Sequence, residues 1–278
     1  MAGMLYLVPT PIGNLGDVSD RARQVLESAD FIAAEDTRVT LKLLNHLGIK
    51  KSLVSYYEHN KAFKGDKIVE RILAGETCAQ VSDAGSPAIS DPGEDLVKQC
   101  VAAGIVVSAI PGPCAAITAL SISGQSTGRF CFEGFLSTAK KSRREHLQSL
   151  QSEHRTMIFY EAPHKLQGTL EDLLEAFGPD RPISLCRELT KLHEEVIRTT
   201  MQGAVDYYNE NVPKGEFVLI VAGAPEEVKE TASSDDAAAR VLQLVEQGLS
   251  RKDAIKQTAK ELDLPKNTVY EAALKAEE

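Results

Sequence analysis

Apolar residues recur along the chain in two alternating rhythms. Short, mostly apolar runs at residues 5–8, 31–34, 78–82 and 105–110 have the length of buried strands. Between them the spacing turns helical. Ala22, Val25, Leu26 and Ala29 follow one another at i, i+3, i+4 and i+7, behind the cap candidates Ser19 and Asp20. Ile68, Val69, Ile72 and Leu73 repeat that rhythm ahead of Gly75, and Leu96, Val97, Cys100 and Val101 repeat it ahead of Gly104. Strand and helix in alternation predict an α/β unit, a mostly parallel sheet covered by helices on both faces.

At residues 121–129 the pattern dissolves into Ser, Gly, Gln and Thr, which predicts a linker. A second unit follows, with strands expected at 157–160, 183–186, 196–200 and 217–222. The last has no alternation and should be buried on both faces. Ser142 with Glu145 has the form of a capping box opening a helix. Leu166, Leu170, Leu173, Leu174 and Phe177 mark another helix, stopped by Gly178-Pro179. Residues 224–236 are polar and read as a second linker. Beyond them, Ser250 with Asp253 forms a further capping box, and Leu264-Pro265 separates two short helices in a helix-turn-helix-like spacing. The expected domains are therefore 1–121, 122–225 and 226–278.

Composition narrows the function. Across 278 residues, 40 acids outnumber 31 Lys and Arg, giving a net charge of −9, which speaks against tight binding to bare nucleic acid. No apolar run is long enough for a transmembrane helix, and the N-terminus lacks the basic start of a signal peptide. The five cysteines are odd in number and form no C-x-x-C pair. They predict a reducing, cytoplasmic setting without disulfides or structural zinc.

Candidate chemistry lies in four loops, each following an expected strand: 9–17, 35–38, 82–93 and 111–116. Ligands of open parallel sheets bind at the carboxyl ends of the strands, so these loops should converge on one cleft. None carries G-x-G-x-x-G, the P-loop pattern or G-x-S-x-G, which sets aside ordinary dinucleotide binding, P-loop NTPases and nucleophile-elbow hydrolases.

Leu7-Val8-Pro9-Thr10-Pro11-Ile12-Gly13-Asn14-Leu15, Ala34-Glu35-Asp36-Thr37-Arg38, Ser82-Asp83-Ala84-Gly85-Ser86-Pro87 and Phe159-Tyr160-Glu161-Ala162-Pro163-His164 occur in that order. Together they closely resemble the small-subunit ribosomal RNA ribose methyltransferases of the tetrapyrrole-methylase-like family, over residues 5–224. The resemblance implies two α/β domains, the second with a mixed sheet, followed by a small helical segment. It also implies a homodimer that uses S-adenosylmethionine to methylate the 2′-oxygen of a decoding-region cytidine in 16S ribosomal RNA. It places the donor against Pro9, Asp83, Ser86, Ala88, Ile89, Cys114, Ala115 and Tyr160. Small residues such as Gly85, Gly112 and Ala115 would let the backbone approach such a ligand closely.

Removal of the 2′-proton calls for a general base. Glu161 heads the candidates, followed by Asp36 and His59, with Glu35 and Lys191 behind them. Arg38 could clamp a phosphate, and local cations could serve RNA: Lys61, Lys64 and Lys67 in one group, Lys140, Lys141, Arg143 and Arg144 in another. An acidic chain with local basic clusters suits a shaped, assembled target, the small ribosomal subunit, better than free RNA. The alternatives are a small-molecule methylase of the same fold, for which the basic clusters have no use, and a DNA-binding regulator. The acid-rich C-terminal segment argues against the latter, and an accessory helical module is expected there.

Overall fold

The computed structural model describes residues 3–57, 61–91, 93–225 and 234–276. It divides into two compact units, Met1–Ala224 and Pro225–Glu278.

In the first unit, five strands, β1 (Met4–Leu7), β2 (Phe31–Ala34), β3 (Ser52–Ser55), β4 (Cys78–Val81) and β5 (Val106–Ala109), form a wholly parallel sheet in the order β3-β2-β4-β1-β5. Strand periodicity sends alternate residues to opposite faces. On β2, Ile32 and Ala34 enter the core under α1 (Asp20–Ser28) and α2 (Thr37–Leu47), where Val25, Leu26 and Leu44 are buried. Phe31 and Ala33 enter the opposite core, under α3 (Lys61–Leu73) and α4 (Gly93–Ala102), with Ile68, Ile72 and Leu96. A strand buried on both faces must be apolar throughout, which explains its unalternating sequence. The expected cap holds, since Ser19 accepts a hydrogen bond from Ala22 N at 3.1 Å.

A second sheet has the order β6-β7-β10-β8-β9. Its members are β6 (Phe130–Phe135), β7 (Thr156–Glu161), β8 (Pro182–Arg187), β9 (Glu195–Thr200) and β10 (Phe217–Val221). Only β6 and β7 run parallel, so this sheet is mixed. One face packs on α6 (Lys140–Ser149), α7 (Pro163–Phe177) and α8 (Met201–Glu210), the other on α5 (Ala115–Ser123). As expected, β10 is buried along its whole length.

Three local expectations change. Residues 121–123 complete α5, so the connection runs only from 124 to 129. Helix α6 starts at Lys140, two residues ahead of the proposed capping box at Ser142. Its N-cap is Ala139, without a side-chain cap bond, and Ser137 Oγ accepts from Ala139 N just upstream. Of the polar run at 224–236, residues 226–233 lie outside the described residues, and its last three positions already belong to a helix.

The second unit holds α9 (Ser234–Glu246), α10 (Arg251–Glu261) and α11 (Lys266–Lys275) around Val241, Leu244, Ala254 and Val269. The Ser250 cap bonds Asp253 N, and Pro265 precedes α11, both as the sequence suggested. Among the described residues, no helix is long and apolar enough to cross a membrane.

Candidate active site

All four strand-end loops meet the mixed sheet around a cavity of about 470 Å³. That size suits a cofactor or drug-sized ligand. The first loop supplies Ile12, the loop after β2 Glu35, the loop after β4 Asp83 to Ser86 and Ile89 to Asp91, and the loop running into α5 Cys114 and Ala115. The mixed sheet closes the other side with Phe135, Tyr160, Glu161, Leu189 and Val218.

The loops hold one another in place. Thr10 and Gly85 exchange backbone hydrogen bonds of 2.9 and 3.0 Å, and Thr10 Oγ1 donates to Ser82 O at 3.0 Å. Gly85 adopts φ 86°, a left-handed conformation that favours glycine, and an added Cβ would lie 3.3 Å from Ile12 Cγ2. Ser86 Oγ donates to Pro113 O at 2.9 Å, tying the third loop to the fourth. Tyr160 Oη accepts from Ala116 N at 3.1 Å, and its ring meets Phe132 and Phe135 edge-on at 5.1 and 5.4 Å. The tyrosine is therefore fixed in the wall, and burial pushes its hydroxyl up to about 12.

Of the expected donor residues, Asp83, Ser86, Ile89, Cys114, Ala115 and Tyr160 line this cavity. Pro9 and Ala88 do not. Pro9 is buried under Gly112, where an added Cβ would sit 2.3 Å from Pro9 Cγ, so its ring supports the fourth loop from beneath. Ala88 takes φ 71° and turns the third loop, with Gly93 packed against its backbone nitrogen.

The base candidates separate sharply. Asp36 caps α2 and is gripped by Arg38, whose guanidinium holds the carboxyl down to about 2. A carboxylate held so acidic is a weak proton acceptor. The same contact folds Arg38 back along the surface, its charge already matched. Glu161 does reach the cavity wall, but it is only 5% exposed and both its oxygens are occupied. Oε1 accepts from Ala162 N at 2.8 Å and Oε2 from Thr169 Oγ1 at 2.6 Å. Lys191 Nζ donates to Glu188 and Glu216, at 2.7 and 3.0 Å. His59 and the Lys61 side chain lie outside the described residues.

Sequence reasoning missed Asp91. It lines the cavity together with Glu35 and Asp83. Desolvation, then the charge of Glu35, push its carboxyl up to about 6, against a Ser82 hydrogen bond that lowers it. Glu35 and Asp83 are raised as well, chiefly by desolvation. The missing signal is spatial, since Glu35 lies 48 residues from Asp83 in the chain.

The basic run on α6 is also corrected. Arg143 Nε donates to Asp172 Oδ2 at 2.6 Å, and Arg144 pairs with Asp172 and Glu175, clamping α6 to α7. Arg143 is thus a packing residue and Arg144 is largely neutralised, whereas Lys140 and Lys141 are exposed.

A parallel five-stranded sheet, a mixed five-stranded sheet and a cavity walled by both define a class. The chain belongs to the tetrapyrrole (corrin/porphyrin) methylases, whose family profile matches residues 4–204. The RsmI C-terminal HTH domain matches residues 231–277. Within the class it groups with proteins named ribosomal RNA small subunit methyltransferase I. The one from Synechocystis sp. is 48% identical over 275 residues, covering 99% of both chains. The one from Bacillus subtilis is 46% identical, covering 97% of this chain and 94% of that protein. Among solved structures, uroporphyrin-III C-methyltransferase from Thermus thermophilus, complexed with S-adenyl homocysteine, aligns with a TM-score of 0.56. Its identity is 15%, covering 78% of this chain and 97% of that one, a likeness of fold.

Proposed function

We propose that the chain transfers a methyl group from S-adenosylmethionine to a ribose 2′-hydroxyl of 16S ribosomal RNA, at a decoding-region cytidine. The observation that carries this reading is the near-full-length identity to ribosomal RNA small subunit methyltransferases I, joined to a cavity whose chemistry fits the donor. The fit is local. Apolar and aromatic walls from Ile12, Phe135, Tyr160 and Val218 suit an adenosyl group, and the carboxylates of Glu35, Asp83 and Asp91 suit a ligand bearing a sulfonium cation. When bound, the donor supplies an electrophilic methyl group.

The protein's own residues do the rest. Tyr160, anchored on α5, and Phe135 help keep water from the reacting atoms. Asp91 accepts the 2′-proton, being a carboxyl of the cavity wall that burial and the charge of Glu35 push up to about 6. Glu161, with both oxygens bonded, orients the start of α7 and the adjacent wall. Lys140, Lys141 and Lys67 provide exposed positive charge for RNA phosphates.

The substrate in this reading is the assembled small subunit in the cytoplasm, consistent with the acidic net charge. Pairing of two copies is part of the same reading. It is supported by β5, an edge strand whose Val106 is 63% exposed.

A large excess of S-adenosylmethionine should raise the melting temperature by mass action, while NAD should leave it unchanged. Mass mapping of ribose methylation in 16S RNA, with and without the gene, tests the reaction. Unaltered methylation in the deletion strain would falsify the assignment.

A further inference from the structure

A second cavity, of about 240 Å³, lies beside the first, between the loop after β1 and one face of α2. Asp83 lines both cavities. We infer that this second cavity is a subsite for an unstacked pyrimidine base of the RNA, held beside the ribose being methylated. The inference rests on the proposed function and says how that substrate is gripped.

The walls fit the flat faces of a base. Pro11 and Leu15 come from the loop and Val39 and Leu43 from α2, and the Leu15 and Val39 side chains are exposed. Aromatic bases gain by stacking on and packing against such surfaces once they leave the helix. Lys42 and His46 stand at the same cavity, one turn apart on α2, where the lysine charge and a histidine ring N–H can meet the flanking phosphates.

Its polar groups read one edge of a base. Asp83 Oδ1 accepts from Asp36 N at 3.0 Å, and the acceptor capacity left on the carboxylate suits the exocyclic amine of cytosine and is repelled by the carbonyl that uracil has there. Thr40 is the second and independent signal. It lines the cavity, is 3% exposed, and its hydroxyl has no hydrogen-bond partner among the described residues. Its own backbone N–H already uses Asp36 O at 3.0 Å, and the hydroxyl does not share that acceptor. A buried polar group without a partner costs stability, and binding sites are where such groups are retained. A side-chain rotation with ligand present gives it one. The nearness of the two cavities matters as well, because a base held on one side of Asp83 leaves its ribose on the side of the donor.

Two substitutions test this in the full-length protein, with unmethylated small subunits and S-adenosylmethionine. Val39→Trp fills the cavity from an exposed position, so folding is retained. Donor affinity by calorimetry should stay within about twofold, while KM for the subunit and its dissociation constant by filter retention rise about tenfold or more. Thr40→Val should raise the melting temperature, because an orphan hydroxyl is removed, and yet raise KM about threefold. A purely structural hydroxyl would move the first quantity and not the second. Reconstituted subunits carrying uridine at the target should react with a kcat/KM lower by about tenfold or more. Wild-type KM and subunit affinity in Val39→Trp, or equal rates on uridine, would overturn the subsite while leaving the methyltransferase reading intact. A wild-type protein that binds the donor but neither binds nor methylates the subunit would overturn both.

Discussion

Asp91→Asn is expected to lower kcat by about 100-fold or more while donor affinity changes no more than a few-fold. Asparagine keeps the size of the side chain and a hydrogen bond with Ser82, but it cannot take up a proton. The wild-type kcat should rise with pH, with unit slope, and level off above about 6, where Asp91 is ionised. The groups facing it are the carboxylates of Glu35 and Asp83, the Ser82 hydroxyl and the Tyr160 phenol. Stability should run the other way. A carboxyl raised from 3.8 to about 6 binds its proton more tightly in the folded chain than in the unfolded one. Its contribution is therefore full below pH 4 or so and lost as pH climbs through about 6. At pH 7 the Asn variant should melt higher than wild type, with the gap closing in acid. Loss of rate with gain of stability is the mark of a strained functional carboxylate. A slow variant that still shows the acidic limb of the pH profile would move the base to Glu35 or Glu161.

The second large effect is structural. Asp172→Ala should destabilise the first unit by about 3 kcal/mol, because Arg143 is left charged and mostly covered, without its partner. For a chain of this length that corresponds to a fall in Tm of roughly 8 °C. Replacing both partners with apolar side chains, Arg143→Met with Asp172→Leu, should recover most of the loss, as buried pairs often tolerate hydrophobic replacement. Binding to the small subunit should hardly change in the double variant. If Arg143→Met alone leaves Tm untouched but abolishes subunit binding, the arginine serves RNA after all.

These two residues show where sequence reading reaches and where it stops. Strand β2 is legible because burial on both faces forces an unbroken apolar run. Caps at Ser19 and Ser250 are legible because the bond is local. The loops that line the cavity are legible because each follows a strand and three of the four are rich in Gly and Pro. Strand β6 is hidden because it is an edge, mostly half-exposed, and its register shifts between Phe132 and Gly134. Strand β3 is hidden because it is short, lies at the opposite edge and begins on an exposed serine. Asp91 reads as a turn residue beside a proline until folding sets Glu35 and Asp83 against it. Arg143 reads as solvated because Asp172 lies 29 residues away on another helix. Long-range electrostatics leaves no periodic trace.

The five thiols make the cavity observable. Cys78, Cys100 and Cys186 are buried within the sheets and their helices, and burial pushes them up to about 12, 11 and 11. Cys131 is driven up to about 12 by desolvation and then by Glu133. Thiols so weakly acidic are poor nucleophiles near neutral pH. Cys114 alone stands on the cavity wall. A small maleimide or iodoacetamide dye should therefore modify one site per chain, and a saturating methyl donor should protect it. Wild-type protein would then carry its own occupancy gauge, with the fading of fluorescence labelling reporting donor binding where no RNA, ribosome or radioactive methyl group is present.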